Sequence, residues 1–265
     1  MATLRDDTGI VLRSVKHGES SLILTVFART AGKIGLMAKG ARGKAKTGAA
    51  AGLQISSEVQ IVYYDKPGRD LQLLKEWSLV SAHAELHTDL RLLAVGSALV
   101  ELLAKCVRDE DPHTELYDAA ADTLNRLNQH PSSPLALLWA FELRLFQALG
   151  FALQFTECAV TGKSFAPPLR GHVRCRLANG SFLHPDAPSS EKFDVELSGR
   201  AFVVLSKLAG DNRALSGKLK TDAAVEREIR QFLTRYLEIH LPVRGTLRSL
   251  DALHWNDPVN DPLSS

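Results

Sequence analysis

The chain of 265 residues has few cysteines, few aromatic residues and no long apolar run. Its three cysteines lie far apart, which argues against a disulfide framework and suits a reducing cytosol. No stretch approaches the ~20 apolar residues of a membrane-spanning helix, and the N-terminus lacks the apolar core of a signal peptide. We therefore expect a soluble cytoplasmic protein.

The sequence also lacks the motifs of common enzyme classes. It contains no G-x-S-x-G elbow, no H-E-x-x-H pair and no dinucleotide-binding fingerprint. Residues 157–164 nearly match a phosphate-binding P-loop, but Glu157 replaces the first glycine and prolines follow where a helix should begin. The remaining carboxylates are scattered over predicted helix surfaces. We therefore predict a protein that is not an enzyme and that carries no cofactor, with the degenerate P-loop as the one argument for an enzyme.

Four potential zinc ligands lie within 27 positions of one aperiodic segment: Cys158, His172, Cys175 and His184. Cysteine and histidine are zinc ligands, and an irregular segment between helices is a place where a structural metal helps. The spacing contains no C-x-x-C pair, and clustered phenylalanines offer the segment another means of packing. We therefore predict that the protein has no metal site. If a metal is present, these four residues are the predicted ligands.

Charge is distributed unevenly although the net charge is only +2. Residues 1–80 contain 12 basic and 7 acidic residues, whereas residues 81–130 contain 4 basic and 9 acidic residues. This asymmetry predicts a basic N-terminal module followed by an acidic helical segment.

The basic character concentrates between residues 29 and 57, which include six cations and no acid. The middle of this segment is rich in glycine, which lets a backbone approach a partner closely, and clustered cations need an external anion. A nucleic-acid backbone is the favoured partner, and a solvated loop that binds nothing is the alternative. The predicted binding residues are Arg13, Arg29, Lys33, Lys39, Arg42, Lys44 and Lys46.

Residues 1–80 have the pattern of a small β domain. Short β-branched or alternating segments occupy residues 9–15, 22–27, 33–39, 56–64 and 71–80, and glycine-containing turns separate several of them. Five short strands with a long loop between the third and fourth fit a Greek-key barrel of the OB type. Such a barrel can follow the phosphates of a strand with little sequence preference.

From residue 81 the apolar spacing becomes helical, which predicts an α+β protein of two domains. Predicted helices cover about six turns from residue 86, then residues 116–127, 135–149, 198–208 and a segment starting at residue 221. Ser133 and Pro134 suit the start of the third helix, and Gly150 suits its end. We expect a helical domain over residues 81–255 with an irregular insert at 151–195, and a frayed tail at 256–265.

Together these segments resemble the bacterial recombination mediator RecO family. The resemblance is most specific in the turn T-A-G-K at residues 30–33 and the block A-K-G-A-R at residues 38–42. It continues through most of the chain, at residues 9–12, 17–20, 71–76, 141–145, 149–151, 158, 235–241 and 247–250.

The resemblance implies a fold and a function. It implies an N-terminal OB-fold, a helical C-terminal domain and a bacterial, nucleoid-associated protein that binds single- and double-stranded DNA and anneals complementary strands. It also implies the partners RecR and RecF, and the loading of recombinase onto strands coated by single-stranded-DNA-binding protein. Many members have two C-x-x-C pairs in a zinc-ribbon-like insert. Here Thr161 and Ala187 stand in two of those places, so the insert resembles a degenerate ribbon and zinc is not expected.

Two questions stay open at the level of the sequence. An RNA-binding or translation-associated OB protein is the main alternative, since a sequence does not reveal recognition of the 2′-hydroxyl. The helical domain is a hypothetical dock for the acidic, apolar-ended tail of single-stranded-DNA-binding protein, because apolar stripes accompany several arginines. These are Arg144, Arg227, Arg230 and Arg235, and the alternative is that the stripes are core and the arginines are solvated.

Overall fold

The structure, a computed structural model, describes residues 2–42, 52–210, 219, 221–241 and 247–251. Lys44, Lys46 and the predicted tail at 256–265 lie outside these residues. The chain divides into two compact units, one containing residues up to 130 together with the segment from Arg248, and one spanning Pro131–Leu247. Within the first unit the barrel packs with the two helices after it, and the predicted domain boundary near residue 80 stays a prediction.

The N-terminal residues form the predicted five-stranded barrel. Its strands are β1 (Thr3–His17), β2 (Ser21–Ala28), β3 (Gly32–Ala38), β4 (Glu58–Asp65) and β5 (Leu71–Ser81). They close in the order β1-β2-β3-β5-β4, with all neighbours antiparallel except β3 and β5. The prediction of an OB-type barrel is confirmed. β1 is longer than predicted because its first half pairs with β4 and its second half with β2.

The barrel is held by an alternating apolar core and by one buried carboxylate. Inward side chains such as Leu24, Leu36 and Ile61 are fully buried. Asp7 is also buried and accepts hydrogen bonds from the backbone and hydroxyl of Thr30 and from the backbone of Ala31. These contacts fix the β2–β3 turn, in which the following Gly32 has a φ of 74°.

Two helices complete the first unit beside the barrel. A short 3-10 helix (Ala84–His87) precedes α1 (Leu90–Cys106), and α2 (Thr114–Leu127) follows. The predicted continuous helix from residue 86 is interrupted, because the Asp89 side chain caps α1 by accepting hydrogen bonds from two backbone N–H groups. The Tyr117 hydroxyl on α2 donates to Glu58 on β4 at 2.8 Å, which joins this helix to the barrel.

The second unit combines helices with a small sheet. It contains α3 (Pro134–Ala148), β6 (His172–Arg176), β7 (Ser181–Leu183), β8 (Val195–Ser198), α4 (Gly199–Ala209) and α5 (Ala223–His240). The predicted helix over 198–208 is present as α4, and Ser198 caps it by accepting a hydrogen bond from the backbone of Ala201. The predicted irregular insert contains two short strands, β6 and β7, and β8 begins at its last residue to complete a three-stranded antiparallel sheet in the order β7-β6-β8.

A last short helix, α6 (Arg248–Asp251), belongs to the first unit, where the Ser249 hydroxyl donates to Glu101 on α1 at 2.9 Å. Among the helices that the structure describes, none has the length and apolar character needed to cross a membrane.

Candidate nucleic-acid interface

Two predicted binding residues, Arg13 and Lys39, are exposed cations on the barrel. Arg13 lies on β1 opposite Thr25 of β2, and Lys39 directly follows β3. Neither side chain forms an ion pair or hydrogen bond with any residue in the described part of the chain. Their charges are therefore available to an external anion.

Arg42, four residues after the end of β3, is half-buried and hydrogen-bonded to the backbone. Its guanidinium donates hydrogen bonds to the backbone carbonyls of Gly18 at 2.5 Å and Ser21 at 3.2 Å. Backbone carbonyls orient the side chain without neutralising its charge, so Arg42 holds a positive charge beside the β1–β2 turn. Lys44 and Lys46, which were predicted with Arg42, lie outside the described residues.

Arg29 and Lys33 have intramolecular partners in the acidic helical segment. Arg29 forms two hydrogen bonds with the Asp118 carboxylate, at 2.8 and 3.0 Å, which raise the pKa of the guanidinium. Lys33 is only 15% exposed, and its ammonium group contacts the Ala104 carbonyl at 3.1 Å and Asp109 at 3.2 Å. Both side chains thus fasten the barrel to residues around α1 and α2. Phosphate contacts by either residue stay a prediction, and each would compete with these partners.

Sequence reasoning omitted one cation near Arg13. Lys16 is exposed on the same strand, opposite Leu22 of β2, and has no ion-pair partner among the described residues. Because Lys16 lies only three residues after Arg13, the sequence could have indicated it as a further binding residue. The cations without a carboxylate partner on the described barrel surface are therefore Arg13, Lys16, Lys39 and Arg42, together with Lys66 and Arg69 between β4 and β5.

The structure brings two of the four potential zinc ligands, Cys158 and His184, into contact. The buried Cys158 thiol accepts a hydrogen bond from the His184 backbone at 3.3 Å. Burial raises its pKa, but hydrogen bonds from Thr161 and His184 outweigh that effect and lower the pKa to about 7. Cys175 is fully buried in β6, where burial and Asp194 raise its pKa to about 12, whereas His172 is exposed at the start of that strand.

Across the described residues, no group of three or more histidine, cysteine, aspartate or glutamate side chains is positioned to hold a metal ion. His184 is buried, and its ring lies beside that of Phe165 with the ring centroids 5.7 Å apart. The absence of zinc stays a prediction.

The arginines of the hypothetical partner dock do not adjoin open apolar stripes. On α3, the apolar residues around Arg144 are buried, and Arg144 itself is half-buried. On α5, Arg227 and Arg235 are exposed and Arg230 is half-buried, while the accompanying stripe from Val225 to Leu237 is buried. The stripes therefore belong to the protein interior, and the exposed guanidinium groups of Arg227 and Arg235 are what this surface offers to a partner.

Comparisons with known proteins identify a family. The family model described as "Recombination protein O N terminal" matches residues 1–83, and "Recombination protein O C terminal" matches residues 87–251. A relative named DNA repair protein RecO from Anaeromyxobacter dehalogenans is 32% identical over 241 residues, which is 91% of this chain and 93% of the relative. Another of that name, from Salinibacter ruber, is 33% identical over 230 residues, 86% of this chain and 85% of the relative. The chain therefore belongs to the recombination protein O family.

Proposed function

We propose that this member of the recombination protein O family, a DNA repair and recombination protein, binds single- and double-stranded DNA through its barrel and anneals complementary strands. The observation that carries this proposal is the pair Arg13 and Lys39, two exposed cations on a closed OB-type barrel without carboxylate partners in the described residues. Arg42 adds a third cation without a carboxylate partner among the described residues.

The proposed activity needs no catalytic group. Annealing requires that the repulsion between two phosphate backbones be neutralised while the bases remain free to pair. Cations on a barrel surface neutralise phosphates and release counterions, so the affinity depends strongly on salt and weakly on sequence. We therefore propose a non-catalytic mediator whose DNA contacts are mainly ionic.

The proposed partners follow from the same role. A mediator that helps to load recombinase onto coated single strands must contact the coating protein, and the exposed arginines Arg227 and Arg235 suit the acidic tail of single-stranded-DNA-binding protein. We further propose RecR and RecF as partners, with the recombinase involved indirectly, and action at the bacterial nucleoid.

A double variant with matched charge loss tests the DNA contacts. Arg13→Ala/Lys39→Ala should bind single-stranded DNA more weakly. The negative slope of log affinity against log salt should become shallower by about 1.4, or ~0.7 for each lost phosphate contact. The control Arg227→Ala/Arg235→Ala removes two exposed arginines from the second unit and should leave that slope unchanged. Fluorescence anisotropy titrations at several salt concentrations measure both.

The proposal fails if the barrel variant keeps the affinity and the slope of the unmodified protein while remaining folded. A matched RNA oligomer serves as a competitor in the same titrations. A clear preference for RNA over DNA would replace the proposed substrate.

A further inference from the structure

Six apolar side chains form one continuous row around the outside of the barrel. Strand register places Val15 opposite Ile23, Ile23 opposite Met37, Met37 beside Leu73, Leu73 opposite Tyr64 and Tyr64 opposite Leu4. We call these residues the outer row. They represent all five strands, and the row begins and ends on β1 because the strands of a closed barrel are staggered.

The outer row faces away from the barrel core. Ile23 lies between buried Leu22 and Leu24, and Leu73 lies between buried Gln72 and Leu74. Four members are well exposed: Leu4 is 50%, Val15 40%, Tyr64 39% and Leu73 36% accessible. Directly opposed side chains on neighbouring strands are ~5 Å apart at Cβ, so the row is a contiguous apolar surface. Side chains exposed on the outside of the barrel add little to its stability, so the stability of the barrel does not explain this apolar row.

The charges beside the outer row indicate its occupant. Arg13 precedes Val15 by two residues and Lys39 follows Met37 by two residues, so unpaired cations lie within ~7 Å along the strands. Near the opposite end, the carboxylates of Asp65 and Glu76 are engaged by Arg5 and Lys75, and Asp6 accepts a hydrogen bond from Gln60. The exposed Lys66 follows Tyr64 by two residues, so this end also carries a cation. An anionic ligand with flat apolar groups matches this combination.

We propose that the outer row contacts the unpaired bases of single-stranded DNA while Arg13 and Lys39 contact its phosphates. This inference rests on the proposed function and adds the means by which single strands are distinguished from duplex. Tyr64 supplies the aromatic face on which a base stacks, between Leu4 and Leu73. In a duplex the bases are stacked inside, so the row adds affinity for single strands only.

Three variants and an abasic oligomer test base contact separately from phosphate contact. The protein should bind a thymidine oligomer about tenfold more tightly than an abasic oligomer of equal length, given the usual effect of one stacked base. Tyr64→Ala should remove most of this difference and leave duplex binding unchanged, whereas Tyr64→Phe should retain it. Val80→Ala, an exposed apolar residue farther along β5, is the matched control.

Each outcome is decisive. If the unmodified protein binds the base-bearing and abasic oligomers equally, base contact is overturned and an apolar protein segment becomes the occupant of the outer row. If Tyr64→Ala and a second variant, Leu4→Ser, both remain folded and keep the full preference, the row has no role in binding. Failure to bind any of the oligomers or the duplex would overturn the proposed function itself.

Discussion

Replacing Asp7 with alanine is expected to lower the free energy of unfolding of the first unit by about 3 kcal/mol. Asp7 is 6% exposed, and its carboxylate accepts hydrogen bonds from Thr8 at 2.8 Å and from the Thr30 hydroxyl at 2.7 Å. Two backbone N–H groups of the β2–β3 turn donate to it at 3.0 Å. Alanine leaves all of these donors without their shared acceptor and frees the turn.

Its neighbour provides the control for Asp7. Asp6 is exposed on the same strand, so Asp6→Ala should change the stability by less than about 1 kcal/mol. Urea unfolding followed by circular dichroism measures both variants. Equal losses for Asp6→Ala and Asp7→Ala would contradict the structural role given to the Asp7 carboxylate.

Replacing Glu142 with glutamine is expected to stabilise the protein at alkaline pH. Glu142 on α3 is 4% exposed, and desolvation raises the pKa of its carboxyl group from 4.5 to about 8. The folded state therefore binds a proton that the unfolded state releases, and the contribution of Glu142 to stability falls as the pH rises from about 4.5 to about 8. Glutamine has a similar shape and does not ionise.

The expected gain for Glu142→Gln is on the order of a few kcal/mol at pH 9, and it should shrink steadily toward pH 5. Glu115→Gln, an exposed site on α2, should show no such pH-dependent gain. Urea unfolding at pH 5, 7 and 9 gives the comparison. Parallel pH profiles for the unmodified protein and Glu142→Gln would show that the carboxyl group is not held protonated.

The sequence predicts the barrel well because its signals are local. Alternating apolar residues mark β2, β3 and β4, and Gly32 marks the β2–β3 turn. Helix starts are equally local, since Pro134 and Ser198 act within one turn of the chain. Asp89 is also a typical N-cap residue, so the start of α1 could be predicted in the same way. The apolar stripe continues on both sides of Asp89, however, and it suggested one longer helix.

The surroundings of the cations are less predictable because they depend on contacts between distant residues. Arg29 and Asp118 are 89 positions apart, so the sequence alone does not indicate that they pair. The sequence shows a basic segment followed by an acidic one. In the structure some of these opposite charges pair with each other within the first unit, as Arg29 does with Asp118 and Lys33 with Asp109. The outer row is similarly hidden, since it follows from strand register and not from any one segment.

Strand annealing on single-stranded DNA coated by its cognate binding protein tests the central claim most directly. We expect the unmodified protein to accelerate the annealing of complementary coated strands. The Arg13→Ala/Lys39→Ala variant should anneal these strands much more slowly. The control Arg227→Ala/Arg235→Ala should anneal uncoated strands at the rate of the unmodified protein. The acceleration should weaken as salt rises, because the contacts are ionic. No acceleration by the folded, unmodified protein at low salt would contradict the account.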